Sequence, residues 1–418
     1  MRWTELPEFS TCPPDWEVVK LLSKADFIAG QSPASELYNA RGDGSPFLQG
    51  NADFGRINPT PIVSCTAPTK FCDAGDTLIS VRAPVGALNR ADQVYGLGRG
   101  VGALHPTNID ADYLYHAMSR WRIPLLRAAQ GSTFDAVTAR HFRQLRCCLP
   151  ISGDEQKAIA ERLNLADEAI TAAEAKLAAA QRLKTALMQQ LFTRGIPGRH
   201  TSFQQTKVGE IPKGWELLPL GRLATIASGI ALNTDRAPQF NPHQYLTVIH
   251  VQRARLDLAD VRYLEVFPNE LPDALLEEGD ILVVEGHASA SEIGRAALAT
   301  REVAGFAYQN HIFRIRLLPD AKLDRLFLLG VLNSERVRRH WAATCNTSSG
   351  LNTINRRALR KSLIQRPPTD EQEEMAELLS TANETINACE SELQAINRLK
   401  QSLLQNLLTG RVRVRVKS

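Results

Sequence analysis

From Ile159 onward, apolar positions recur in alternating steps of four and three: Ile159, Leu163, Ala166, Ile170, Ala173, Leu177, Ala180, Leu187 and Leu191, with Lys184 as the one polar member. That spacing is the seam of a helix built to pack along another helix. A second seam follows through Met375, Leu379, Ala382, Ile386, Cys389, Leu393, Ile396, Lys400, Leu403 and Leu407, with its lysine at the same place. Each stretch predicts a helix of roughly 40 residues, about 60 Å long at 1.5 Å per residue. Asp154 and Asp370 stand where N-caps belong, and Gly195 and Gly410 where helices stop. Small residues (Ala166, Ala173, Ala180, Ala382) let two backbones approach closely. Two matched seams in one chain are most simply buried against each other, as an antiparallel intramolecular pair with a globular unit at either end.

The seams belong to a larger repeat. Pro14-Asp15-Trp16-Glu17-Val18 returns as Lys213-Gly214-Trp215-Glu216-Leu217, and Gly75-Asp76-Thr77-Leu78-Ile79 as Gly279-Asp280-Ile281-Leu282-Val283. Asp154-Glu155-Gln156 returns as Asp370-Glu371-Gln372, and Arg182-Leu183-Lys184 as Arg398-Leu399-Lys400. Leu187 to Thr193 returns as Leu403 to Thr409. The early parts of the halves differ by insertions and the later parts run in step. Short β-rich runs (Thr77 to Val81, Ile281 to Val284, Ile312 to Leu317) and short helical runs (Tyr113 to Met118, Phe327 to Leu332) make the globular parts mixed α/β. The expected layout is a first globular domain over 1–150, a long helix over 151–195, a linker over 196–210, a second domain over 211–368, a second long helix over 369–410 and a basic tail over 411–418.

Composition adds limits. With 44% hydrophobic and 22% charged residues, the chain is of the folded rather than disordered class. Seven cysteines show no CxxC spacing and read as reduced thiols. No apolar run approaches the ~20 residues of a membrane span. Met1-Arg2-Trp3-Thr4-Glu5 lacks the layout of a signal peptide, so the expected location is the cytoplasm.

The net charge is only +4, yet positive charge is concentrated. Between Tyr113 and Cys148 stand Arg120, Arg122, Arg127, Arg140, Arg143 and Arg146 against Asp135 alone. Between Glu335 and Arg366 stand Arg336, Arg338, Arg339, Arg356, Arg357, Arg360, Lys361 and Arg366 against Glu335. Arginine-rich segments at the same place in both repeats point to phosphate contacts rather than to solvation alone. Ser132, Thr133, Ser348 and Ser349 could add donors to phosphates. Candidates for base edges are Arg82, Arg99, Arg253, Arg255, Asn310 and His311, since arginine suits guanine and asparagine suits adenine.

Catalytic signatures are missing. The sequence has no GxxxxGK[ST] loop, no dinucleotide fingerprint, no Asn/Asp-Pro-Pro-aromatic motif and no HExxH. Pro272-Asp273 followed by Glu285-Gly286-His287 is a poor match to a nuclease carboxylate motif, and Gly96 to Gly100 is a glycine turn that could bring backbone to phosphate. A coiled-coil protein–protein scaffold without enzymatic activity is the alternative reading. Steep salt dependence of DNA binding separates the two.

In this order and twice over, these pieces resemble the specificity subunits of type I restriction–modification systems. The resemblance rests on Gly-Asp-(Thr/Ile)-Leu, on Ser80 to Gly86, on Ile211-Pro212-Lys213-Gly214-Trp215, on the two Asp-Glu-Gln openings and on the Leu-Met-Gln-Gln-Leu-Phe-Thr ending. It runs over essentially the whole chain, with a departure where Val284-Glu285-Gly286-His287 stands against Val81-Arg82-Ala83-Pro84. It implies two target-recognition domains, each reading half of a bipartite asymmetric double-stranded DNA site, with the helices fixing the gap. It further implies two modification subunits that methylate adenine with S-adenosylmethionine, and restriction subunits that use ATP and Mg2+. The cofactors would belong to those partners and none to this chain.

Overall fold

A computed structural model describes residues 12–130, 136–348 and 351–414. The chain divides into two compact units, Met1–Ala175 with Ser391–Ser418, and Lys176–Glu390. The seams form two long helices, Gly153–Arg194 and Thr369–Leu407. Every seam position, both lysines included, is buried or half-buried, while Leu165, Leu183 and Leu399, off the seam, are exposed. Each unit therefore contains the start of one helix and the end of the other.

Within each unit the two helix segments run antiparallel. In the first, Lys400 Nζ meets the Asp167 carboxylate at 2.6 Å, and farther along Arg413 grips Glu155. Leu407 and Leu408 are buried in that unit's core with Trp16, Trp121 and Leu163. In the second unit, Leu191 and Phe192 are buried with Trp215, Phe327 and Leu379. Each domain is thus completed by the end of the other repeat's helix, which explains why Leu191-Phe192 and Leu407-Leu408 recur.

The helix starts correct one expectation. The first ladder bonds run from Gln156 N to Ser152 O and from Gln372 N to Pro368 O, both 3.1 Å, so Ser152 and Pro368 are the N-caps. Asp154 and Asp370 sit inside the first turn, where the helix dipole favours a carboxylate. Gly195 and Gly410 take φ of +74° and +68°, the left-handed stop that glycine permits.

Both domains are mixed α/β and share a four-stranded sheet of the same strand order, while their second sheets have five strands in the first and three in the second. A four-stranded antiparallel sheet runs Ala25–Ala29, Val101–Pro106, Thr77–Ser80, Leu88–Arg90 in the first unit. Its counterpart runs Ala224–Ser228, Ile312–Leu317, Ile281–Val284, Ala296–Leu298. A second sheet in each contains one parallel pair, Leu48 opposite Leu97 and Leu246 opposite Tyr308. The Gly-Asp motif closes the turn before the central strand. Asp76 Oδ2 accepts from Asp73 N at 2.9 Å, and Asp280 Oδ2 from Glu277 N at 2.8 Å. Burial raises the pKa of Asp76, and His105 on the neighbouring strand hydrogen-bonds it at 2.8 Å.

A further correction concerns sulfur. Cys12 and Cys148 form a disulfide with Cα atoms 6.2 Å apart, whereas all thiols were expected reduced. The antiparallel pairing of Trp16–Lys20 with Arg146–Pro150 puts Cys148 opposite Val18, close to where the chain enters from Cys12. Such a contact between distant stretches leaves no spacing signature. Among the described residues, no helix is long and apolar enough to cross a membrane.

Candidate nucleic-acid interface

Shortly before the long helix in sequence, each domain presents a short basic helix. In the first it is Ala139–Gln144, held by buried Phe142, whose ring stacks on Phe27 at 4.0 Å, leaving Arg140 and Arg143 exposed. In the second it is Arg356–Lys361, capped by Asn355 Oδ1 accepting from Ala358 N at 2.8 Å and anchored by buried Leu359. There Arg356, Arg357, Arg360 and Lys361 are exposed. Single apolar anchors at matching positions turn arginines outward in both repeats.

Backbone bonds tie each basic helix to a turn. Val137 N donates to Val81 O at 2.8 Å and Val81 N to Gly100 O at 2.9 Å. In the other domain Ile354 N donates to Glu285 O and Glu285 N to His311 O, both at 2.9 Å. Glu285 is therefore the counterpart of Val81, as the Gly-Asp repeat implies and one position from the Val284/Val81 comparison, and Arg82 corresponds to Gly286. The same register pairs Arg99 with Asn310 and Gly100 with His311. Arg99 is exposed at the apex of its turn and Asn310 half-exposed on its own. Arg82 is exposed next to Val81, which is bonded to the Arg99 turn, and its backbone is bridged to Ala136.

The glycine turn is not an open phosphate cradle. Gly96, Gly98 and Gly100 are buried, and a Cβ at Gly100 would lie 2.2 Å from Gln49 O. These glycines allow close backbone packing that leaves Arg99 as the exposed side chain.

The arginines divide by partner. Arg140, Arg143, Arg255, Arg356, Arg357 and Arg360 are exposed to solvent. Arg253 is held by Ser291 O at 2.6 Å and by Glu292 at 3.2 Å, apart from the turn. Arg336 donates to Val208 O and Gln365, and burial lowers its pKa. Arg366 is bound by Glu216 and Ala321 O. Arg120 lies half-buried in the last turn of Ala111–Trp121. His311 Nδ1 lies 3.1 Å from the Glu285 carboxylate. Ser132, Thr133 and Ser349 lie outside the described residues, and Ser348 ends the strand Asn346–Ser348.

The role of the Asp-Glu-Gln openings was not legible, although their recurrence was the signal. Gln156 Oε1 accepts from Asp110 N at 2.9 Å and its Nε2 donates to Pro150 O at 2.8 Å. Gln372 does the same with Asp324 N at 2.7 Å and Pro367 O at 2.7 Å. Asp110 and Asp324 in turn cap helices Ala111–Trp121 and Arg325–Asn333. Glu155 accepts from Arg413 at 2.8 Å, and Glu371 from His200 at 2.7 Å and Trp215 Nε1 at 3.0 Å. Each glutamine clamps the long helix to its domain, and each glutamate catches the segment that follows the other long helix.

Residues 13–181 and 212–398 both match the family described as Type I restriction modification DNA specificity domain. The MjaVIII specificity subunit of Methanocaldococcus jannaschii is 24% identical over 96% of this chain and 94% of its own length. The MjaX specificity subunit of the same organism, described as putative in its name, is 37% identical over 45% of each chain, so this chain aligns with less than half of that relative's length. The crystal structure of the type I system S subunit from M. genitalium superposes with a TM-score of 0.57 at 14% identity, over 96% of this chain and 97% of that one. A structure described as showing complex assembly and conformational transition of the type I R-M system superposes with a TM-score of 0.59 at 17% identity, over 96% and 99%. With two matched segments that together span most of its length, the chain belongs to the type I restriction–modification DNA specificity family.

Proposed function

We propose that this chain is the non-catalytic specificity subunit of a type I restriction–modification complex. Each domain reads one half of a bipartite, asymmetric site on double-stranded DNA, and the paired helices hold the gap between half-sites constant. The observation that carries this reading is the basic helix joined to an exposed turn, built at matching positions in both domains. Arg140 and Arg143, and Arg356, Arg357 and Arg360, meet phosphates and set register. Arg99 and Arg82 in one domain, and Asn310, His311 and Arg255 in the other, face base edges. Arginine and asparagine at equivalent apices favour guanine in one half-site and adenine in the other.

Two modification subunits then methylate adenine with S-adenosylmethionine, and restriction subunits use ATP and Mg2+, all bound outside this chain, in the cytoplasm. The test is selection from random duplex DNA by the chain co-purified with its modification subunit, followed by sequencing of the bound fraction. A split motif with a fixed gap, altered in one half when residues 20–145 are exchanged, is the expected result. Weak binding without an enriched motif would refute the reading and favour the scaffold.

A further inference from the structure

Beside the two seam lysines the repeat is broken. In the first unit, Lys400 is ion-paired with Asp167 at 2.6 Å, and Arg56 covers the pair by hydrogen-bonding Asp167. Next to them Asn164 bridges His116, at 2.8 Å, and Asp112, at 2.7 Å. Charge and volume are both satisfied.

At the matching positions of the second unit, Lys184 replaces Lys400 but every polar partner has changed. Asn383 stands for Asp167 and Ser380 for Asn164. Counted from the matching caps Asp110 and Asp324, Leu326 stands for Asp112 and Gly330 for His116. Ala254 stands at the same remove from Leu246 as Arg56 from Leu48. These five replacements line an open cavity of about 80 Å³ together with Lys184. Lys184 makes no hydrogen bond or ion pair among the described residues, and burial lowers its pKa with no counter-charge to offset the cost. Leu326 at the cavity is 43% exposed and offers apolar contact.

We infer that this cavity receives the carboxylate of an aspartate or glutamate side chain from the modification subunit, with Lys184 as counter-ion and Asn383 as donor, while the Ser380 hydroxyl donates to Glu384 at 3.3 Å. Three features of the cavity specify that chemistry. The volume suits a short stem, the walls are largely apolar, and the one charge is a lysine lacking the acid its repeat mate has. The inference rests on the partner assignment proposed above.

The test uses the full chain co-expressed with its modification subunit. Carbodiimide joins an amine to a carboxylate in contact, and mass spectrometry maps the product, with the internal Lys400–Asp167 link as positive control. The expected product links Lys184 to an acidic residue of the partner. In N383D the link moves to the carboxylate introduced within this chain. N383D and K184M each weaken assembly about tenfold, the size of one lost charged contact, while N383D keeps full thermal stability. A complex in which Lys184 is acylated as fast as in the isolated chain would overturn the inference and leave the partner assignment standing. Failure of any complex to form would overturn both.

Discussion

The glutamine clamp gives the structure a quantitative test. In Q372A three bonds vanish: from Asp324 N at 2.7 Å, to Pro367 O at 2.7 Å and to Lys322 O at 3.1 Å. Gln372 is fully buried, so no solvent replaces the lost partners. Each orphaned buried group costs about 1–3 kcal/mol. Carbonyl oxygens have second lone pairs and relax more cheaply, which sets the total at about 3 kcal/mol, or roughly a hundredfold in local opening. Q156A removes two bonds and costs about 2 kcal/mol by the same reasoning. Hydrogen–deuterium exchange read by mass spectrometry separates them. Q372A speeds exchange at the start of Arg325–Asn333 and Q156A at the start of Ala111–Trp121, each leaving the other domain unchanged. A change under about 0.5 kcal/mol, the range of an ordinary surface substitution, would refute the clamp.

Other consequences are open to measurement. R143A and R360A each lower the slope of log binding constant against log salt by about 1, measured by fluorescence anisotropy on duplex DNA, whereas R366A lowers stability and leaves the slope unchanged. Thiol labelling in denaturant without reductant modifies Cys65, Cys72, Cys147, Cys345 and Cys389 and spares Cys12 and Cys148; labelling of all seven would show the bond absent. Because burial lowers the pKa of Lys184 in the folded state, keeping it charged costs stability below that lowered value. The cost shrinks as pH rises towards the unfolded value of about 10.4. K184M is accordingly more stable than wild type in urea at pH 7, with the difference fading by pH 10.

The seam was legible because periodicity reports burial directly: every seam position is buried or half-buried, while Leu165, Leu183 and Leu399 are exposed. The arginines show the limit of composition. Arg336 and Arg366 lie in the same basic run as Arg356 and Arg360, yet the first two are anchored to Val208 O and Glu216 and the others face solvent. What separates them is tertiary: an acceptor carbonyl or carboxylate brought from a distant strand. The disulfide was hidden for the same reason, since Cys12 and Cys148 are 136 residues apart. The N-cap was misplaced because an aspartate in the first turn and one at the cap leave nearly the same sequence signature.

The two repeats differ where divergence leaves the frame intact. The turn carrying Arg99 is fixed by main-chain bonds, Gly98 N to Leu48 O at 2.8 Å and Val81 N to Gly100 O at 2.9 Å. Its counterpart keeps both, Gln309 N to Leu246 O and Glu285 N to His311 O, at 2.9 Å each. These bonds persist although Gly-Arg-Gly has become Gln-Asn-His: a Cβ at Gly100 would meet Gln49 O at 2.2 Å, whereas His311 pairs with Glu285 at 3.1 Å. The clamp is the opposite case: Glu155, Gln156, Glu371 and Gln372 hold the frame through side-chain atoms and are the same in both copies. The clamp residues, which hold the frame through side chains, recur in both copies. Residues presented by main-chain bonds are free to differ, which is what two readers of unlike half-sites require.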